Sequence, residues 1–320
     1  MSKVNFCVFL PFYAFQSKEI SQVTPLFKKV KDVVLECEQL GYHSVWLDDH
    51  LMFGRTPILE CWTTLAALAS ITSRIRLGTM VTSNGFRNPA LLAKMAATTD
   101  VISEGRLEFG IGSGIQVEEH FAYGFPFPDM NVRTEKLKEA VEIIKHLWSE
   151  EKTDYVGKHY EVVNALCEPK PIQHPHPPIT IGGAGEECTL RVTAQHADRC
   201  DFGYLTSIEM YEHKLTVLES YCKEIGRDIR SIEKTCWPAG QITIALDEIK
   251  VAEELQRVKP ENISIDDFEK VCLAGTPEKC VETLQPYIDL GATHFMLYFS
   301  GLPDTAGLRT FAETVVKKFT

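Results

Sequence analysis

The sequence has no excess of basic residues and no apolar run of membrane-spanning length. It contains 33 Lys and Arg against 44 Asp and Glu, a formal net charge of −11. So acidic a chain lacks the basic patch that nucleic acids and anionic membranes attract, and its apolar runs are shorter than the roughly 20 residues of a transmembrane helix. The apolar stretch 4–11 is interrupted by Asn5 and precedes no small-residue cleavage site, which predicts a first strand and no signal peptide. We therefore expect a soluble, cytoplasmic protein with no nucleic-acid or membrane partner.

Disulfide and metal-binding patterns are also missing. None of the ten cysteines belongs to a C-x-x-C pair, and most lie inside apolar segments, as reduced cytosolic thiols do. The sequence shows no internal repeat, low-complexity tract or domain linker, and 44% hydrophobic composition over 320 residues can bury one large core. We expect a single domain, residues 1–320, with no metal centre.

What the sequence does contain is a regular alternation of strand and helix patterns. The predicted strands are 4–10, 44–47, 75–81, 106–111, 179–181, 201–204, 241–245 and 294–299. The predicted helices are 26–40, 61–71, 89–102, 131–148, 185–196, 207–226, 276–290 and 307–318. Such alternation predicts an α/β fold, a (β/α)8 TIM barrel of parallel strands with right-handed crossovers. Residues 150–178, with a small hairpin at 155–163, and residues 247–275, charged and partly helical, do not fit the alternation and predict two insertions.

Polar residues end the second predicted strand abruptly. Residues 42–47 have a buried-strand pattern and run directly into Asp48, Asp49 and His50. In a parallel α/β barrel, polar groups cluster at the carboxyl ends of the strands, where the following loops open the active site. This junction therefore predicts an active site. The alternative is that an aspartate caps the next turn and that His50 only packs.

Two glycine-rich turns follow predicted strands. Gly182, Gly183, Ala184 and Gly185 lie between the fifth strand and a helix, where unhindered backbone N–H groups and a helix N-terminus can hold a phosphate. A bare turn would also explain them. The turn at 110–114 does not open a helix at once, so it does not indicate a dinucleotide-binding fold.

Together these segments resemble the luciferase-like monooxygenase superfamily, and within it the subgroup that depends on the deazaflavin coenzyme F420. The residues that carry the resemblance are 41–50, 57–62, 73–78, 86–97, 100–114, 118–124 and 177–185. The resemblance implies a luciferase-like barrel that transfers hydride between F420 and a small organic substrate. The same barrel binds FMN in the monooxygenase branch of the superfamily, so an FMN-dependent two-component monooxygenase is the alternative.

The resemblance also implies roles for individual residues. His50 would lie beside the reactive ring carbon as the acid or base or as a group that polarises the ring, with Asp49 as a second catalytic and cofactor-binding residue near the ring or the substrate. A non-prolyl cis peptide at Met80-Val81 would press against the ring. Further cofactor contacts are implied at Ser83, Asn84, Ser113 and Gly114, and at Gly182, Gly183, Ala184 and Gly185 for the phosphate.

Two positions depart from the pattern of sugar-phosphate dehydrogenases in this subgroup. Ile115 stands where those enzymes have a glutamate, and Gly54 where they have a tryptophan. Glu118 or Glu119 is a candidate replacement carboxylate, unless both are solvated charges at a helix start. The reducing direction, with hydride passing to a carbonyl, C=C or imine carbon, is then at least as well supported as alcohol oxidation.

Other classes of protein and the oligomeric state remain open at this point. A catalytically idle cofactor-binding protein and a metal hydrolase that uses Asp48, Asp49 and His50 are alternatives, although no third ligand with recognisable spacing accompanies the last. The Ala-rich predicted helices 61–71 and 89–99 can pack closely against a second copy, as in the homodimers of this superfamily, so we expect a homodimer.

Overall fold

The barrel is built from short apolar strands that pair in parallel. The computed structural model describes residues 3–15, 24–260 and 262–319. The barrel strands are β1 (Asn5–Leu10), β2 (Ser44–Leu47), β3 (Arg76–Thr79), β4 (Leu107–Gly112), β5 (Ile179–Gly182), β6 (Arg199–Asp201), β7 (Glu233–Cys236) and β8 (His294–Leu297). Each pairs in parallel with its sequence neighbours, and β1 pairs with β8, so the sheet closes on itself. The predicted TIM barrel is confirmed.

Helices surround this barrel. They are α1 (Thr24–Leu40), α2 (Cys61–Ala69), α3 (Pro89–Ile102), α4 (Val117–Ala122), α5 (Met130–Ser149), α6 (Thr189–His196), α7 (Ile208–Glu224), α8 (Glu248–Val258), α9 (Ile265–Val271), α10 (Pro277–Asp289) and α11 (Ala306–Thr314). Their starts follow from local sequence: the Asn88 side chain accepts the N–H groups of Ala90 and Leu91 at the start of α3, and Pro89 occupies its first turn. None of the described helices is long and apolar enough to cross a membrane.

Two predicted strands were wrong. Gln241–Ile244 is not a barrel strand but pairs in parallel with Cys272–Gly275 in a separate two-stranded sheet. The seventh barrel strand is instead Glu233–Cys236, which the sequence did not indicate because it begins with the polar residues Glu233 and Lys234. Glu233 accepts hydrogen bonds from the buried Arg199. The sixth strand is Arg199–Asp201, so it ends at residue 201, where the predicted strand began. Its first residue is a buried arginine, which a hydrophobic pattern does not include.

The two predicted insertions contain secondary structure of their own. Thr153–Val156 pairs antiparallel with Glu161–Ala165 in the first. The second holds α8, α9 and the strand Cys272–Gly275.

A charged cluster fills the amino-terminal end of the barrel. The buried Glu108 carboxylate contacts Arg76 and, at 2.7 Å, Arg199. These two guanidinium groups hold the Glu108 pKa near 2 in spite of burial. Because the charged groups of this cluster pair with one another, we expect the active site at the opposite, carboxyl end of the barrel.

Candidate active site

The carboxyl ends of the strands open into a cleft of about 1040 Å³. The residues that line it come from β1 to β8 and the loops that follow them, and include Tyr13, His50, Val81, Ser113, Gly183, Asp201, Trp237 and Tyr298. A volume of this size accommodates a tricyclic cofactor together with a small substrate.

The two aspartates after β2 have structural partners. Both carboxylate oxygens of Asp49 accept from the Arg87 guanidinium, at 2.7 and 2.9 Å, and one also accepts the Ser83 N–H at 2.9 Å. Asp48 accepts the Phe12 N–H at 3.0 Å, and burial raises its pKa to about 6. Asp49 lines the cleft, but with both oxygens engaged it positions the third-strand loop and does not act as a free base.

His50 is paired with a carboxylate from a different element. Its Nδ1 lies 2.8 Å from Glu119 Oε1, and the other Glu119 oxygen accepts the Leu51 N–H at 2.9 Å. Because an ionised carboxylate can only accept, Nδ1 carries the hydrogen, and Nε2 is left to take up or release a proton. Both residues line the cleft. The arrangement orients an acid or base as a carboxylate does in a catalytic triad.

Sequence reasoning left open which glutamate would matter. Glu119 is buried beside His50, whereas Glu118 is exposed on the first turn of α4. The reading of two solvated charges is therefore wrong for Glu119 and right for Glu118. Glu119 lies in the first turn of the short helix α4, at the helix start that the sequence indicated.

A bulge follows β3 and shapes the floor of the cleft. The Met80-Val81 peptide is cis, and the chain then re-pairs with β4 through Thr82 and Ser83. Val81 occupies the space beside two glycines: a β-carbon on Gly112 or on Gly182 would lie 2.8 Å from a Val81 methyl group. These two glycines are therefore needed to accommodate the bulge, which is a different reason for Gly182 from the predicted phosphate contact.

The turn after β5 presents free backbone donors. Gly183 has φ +135°, a conformation that favours glycine, and its N–H donates to the Asp201 carbonyl at 2.8 Å. Among the described residues no acceptor takes the N–H groups of Ala184 and Gly185. The following helix begins at Thr189 and not at residue 185 as predicted, because Glu186 to Cys188 form a turn. The turn fits a phosphate group held by backbone N–H groups.

The remaining predicted contacts divide between two pockets. Ser83, Ser113 and Gly114 line the main cleft. Asn84 does not: it lines a neighbouring pocket of about 290 Å³, where its Nδ2 lies 3.5 Å from the Tyr160 hydroxyl. Ser113 lines both pockets.

An aromatic wall on the opposite side of the cleft was missed by sequence reasoning. Phe9 contacts Trp237 edge to face at 5.2 Å between ring centroids, and Tyr298 at 6.1 Å. The Trp237 indole N–H donates to the buried Asp201, 3.0 Å from its Oδ2. Three of these residues follow or end barrel strands, and that position is the sequence signal that would have found them.

These features define a class of protein, a TIM barrel with a large cleft, a glycine-rich turn and a carboxylate-paired histidine at the carboxyl ends of its strands. The chain belongs to the luciferase-like monooxygenase family, whose model matches residues 4–258. The resemblance stated from the sequence is therefore confirmed.

Relatives in this family have names that include a cofactor. The F420-dependent glucose-6-phosphate dehydrogenase of Microbacterium testaceum (strain StLB037) is 30% identical over 312 residues, which cover 88% of this chain and 90% of the relative. The protein of the same name from Amycolatopsis mediterranei (strain U-32) is 28% identical, with 90% and 93% covered.

Solved structures share the fold at lower identity. A coenzyme F420-dependent tetrahydromethanopterin reductase from Methanopyrus kandleri superposes with a TM-score of 0.80 at 20% identity over 100% of both chains. An EDTA monooxygenase from Chelativorans sp. BNC1 superposes with a TM-score of 0.82 at 16% identity, covering 99% of this chain and 93% of that one.

Proposed function

We propose that this protein is an oxidoreductase that transfers hydride between coenzyme F420 and a small organic substrate. The observation that carries the proposal is the convergence, in one cleft, of the Val81 bulge, the free N–H groups at Ala184 and Gly185, and the His50–Glu119 pair. The names of the relatives from Microbacterium and Amycolatopsis, which match about nine-tenths of this chain, support F420 as the cofactor.

The residues of the cleft fit the parts of this coenzyme. Ala184 and Gly185 would hold its phosphate, Met80 and Val81 would support one face of its ring system, and Ser113 and Gly114 would line the ring. When bound, the deazaflavin accepts or donates a hydride at its ring carbon. The protein supplies position, exclusion of water and proton transfer.

His50 would hold or move a proton at Nε2. Glu119 fixes the ring orientation through Nδ1 and stabilises the imidazolium when Nε2 takes up a proton. A proton at this atom suits either direction: it leaves a hydroxyl group as a hydride is removed, or it reaches the heteroatom of a carbonyl or imine as a hydride is added. Asp49, predicted as a catalytic partner, is assigned a positioning role because Arg87 engages both of its oxygens.

Homodimer formation and a cytoplasmic location are parts of the same proposal. Leu91 on α3 is 56% exposed, and Ile71 and Ile102 at the ends of α2 and α3 are 42% and 41% exposed. An apolar surface on two neighbouring helices suits contact with a second copy. The ten cysteines are unpaired, which suits a reducing compartment.

Binding of F420 compared with its phosphate-free deazaflavin analogue tests the proposal. Calorimetric titration of the whole protein should give a tighter dissociation constant for F420 by roughly tenfold or more, since backbone N–H groups contribute charge-assisted hydrogen bonds to the phosphate. Equal affinity would contradict the phosphate assignment, and absence of binding by both would contradict the proposed cofactor.

A further inference from the structure

The aromatic side of the cleft is formed by four rings in successive contact. Tyr13 lies 6.3 Å from Tyr298, Tyr298 lies 6.1 Å from Phe9, and Phe9 lies 5.2 Å from Trp237, all edge to face and measured between ring centroids. All four residues line the cleft. The electron-rich faces of aromatic rings attract cations. One face of Tyr13 is stacked on Phe53, at 4.9 Å between ring centroids.

Two buried carboxylates lie beside this wall: Asp201 lines the cleft, whereas Asp48 is not among its described lining residues. Asp48 is 3% exposed and Asp201 is 2% exposed. Asp201 is hydrogen-bonded to the indole of Trp237. Burial raises the pKa of Tyr13 and of Tyr298, and the nearby Asp48 carboxylate adds to both increases. In the part of the chain that the structure describes, neither aspartate forms a salt bridge, and burial raises the pKa of each to about 6. Buried carboxylates are normally paired, so these two favour a positive charge nearby.

The cleft also offers little to an anionic substrate. Lys214 is the one Lys or Arg among its described lining residues, and its ammonium group lies 2.5 Å from Glu186 beside the glycine turn. Glu187 lines the same cleft. A substrate phosphate placed against the aromatic wall would meet carboxylates and ring faces but no free guanidinium or ammonium group.

We propose that the substrate of this protein is an unphosphorylated organic cation, either an alkylated ammonium compound that carries a hydroxyl or carbonyl group or an iminium compound, whose charged nitrogen lies against the wall formed by Phe9, Tyr13, Trp237 and Tyr298. Hydride would be exchanged at the carbon that bears the oxygen or at the iminium carbon, and a hydroxyl proton would pass to or from His50 Nε2. Asp201, which lines the cleft, supplies the compensating negative charge, and Asp48 adds to it from beside the wall. The inference rests on the proposed function for the hydride transfer and adds the class of substrate. A cationic, unphosphorylated substrate would differ from the sugar phosphate for which the relatives are named.

Binding of choline and of its uncharged carbon isostere, dimethylbutanol, tests the charge preference at equal shape. Calorimetric titrations of the whole protein with F420 present, at about pH 8 where both aspartates are ionised, should give choline a dissociation constant at least about tenfold lower than that of the isostere. Cation–π contacts with several rings, together with a buried carboxylate, support a factor of this size. Quenching of Trp237 fluorescence gives a second readout that does not depend on turnover.

Two variants and one competing ligand complete the test. Asp201→Asn should weaken choline binding several-fold and remove most of the preference, while binding of dimethylbutanol stays within about twofold, because the shape of the wall is kept. Glu151→Gln, a control at an exposed residue that is not among the cleft residues, should keep the preference. Equal affinity for choline and its isostere, no choline binding, or tight binding of glucose 6-phosphate would each overturn the inference. Since F420 affinity is measured separately, failure of the proposed cofactor is recognised independently.

Discussion

At the scale of single residues, the proposal assigns the proton transfer to His50 and its orientation to Glu119. His50→Asn should lower turnover by roughly 10²–10⁴-fold and leave F420 affinity within about tenfold, because the phosphate turn belongs to another strand. Steady-state kinetics and calorimetric titration check the two parts.

The chain offers a matched control for this variant. His146 and Glu150 form a similar pair at 2.6 Å on the surface, so His146→Asn should leave turnover unchanged. Near-native turnover of His50→Asn would show that His50 only packs.

Asp201 makes a testable contribution to stability because its carboxylate is buried without a counter-ion. Burial raises its pKa from an ordinary 3.8 to about 6, so the folded protein takes up a proton before the unfolded chain does. This group therefore contributes stability below pH 4 that is lost as the pH rises through about 6.

Asp201→Asn removes that dependence. Relative to the wild type, the variant should gain free energy of unfolding between pH 4 and pH 8, by up to about 3 kcal/mol at roughly 1.4 kcal/mol per pKa unit. Urea unfolding at several pH values measures this difference. A difference between the two proteins that does not change with pH would show that Asp201 titrates normally in the folded state.

The sequence located the residues after β2 but not their partners. The pattern of residues 42–50 was sufficient to place His50 at a strand end, because burial and polarity change abruptly there. His50 contacts Glu119, 69 positions away in the sequence, and Asp49 contacts Arg87, 38 positions away. A local sequence pattern cannot predict contacts between residues so far apart in the chain. Tertiary packing decides them.

At the scale of elements, the proposal assigns the phosphate of the cofactor to the turn after β5. In Gly183→Val a β-carbon would lie 3.0 Å from a Thr189 methyl group, on a backbone with positive φ, so the turn must shift away from its position. F420 affinity should fall at least tenfold, measured by titration, while the circular dichroism spectrum stays that of a folded barrel.

Gly226→Val is the control for backbone strain alone. Gly226 also has positive φ, at +70°, but no atom lies within 4 Å of its β-carbon position, and it is not among the cleft residues. Both variants should lose roughly 1–2 kcal/mol of stability from the unfavourable conformation. Equal F420 affinity in the two variants would refute the assignment of the turn.

Elements were predictable where burial is uniform and not where charge enters the barrel. Strands β2 and β5 are buried along their whole length or nearly so, and their apolar sequences marked them. Strand β7 has a polar sequence because Glu233 pairs with Arg199 of the charged cluster. In contrast, Gln241–Ile244 has the sequence pattern of a strand but lies outside the barrel. Hydrophobic pattern alone does not separate these cases.

At the scale of the whole molecule, the exposed apolar residues of α2 and α3 predict self-association. Leu91→Arg should convert the proposed dimer to a monomer in sedimentation velocity, because a buried unpaired guanidinium at an interface costs several kcal/mol. Ile249→Arg on α8, where Ile249 is 75% exposed, is the matched control and should leave the dimer intact. A monomeric wild-type protein at micromolar concentration would contradict the proposal.

The proposed use of F420 as the cofactor is tested most directly by a side-by-side titration of the wild-type protein with F420 and with FMN. Each cofactor is added oxidised and reduced, and oxygen uptake is recorded. We expect micromolar or tighter binding of F420, weaker binding of FMN, and no oxygen uptake. Tight binding of reduced FMN with oxygen consumption, and no binding of F420, would contradict it and identify a flavin monooxygenase on the same barrel.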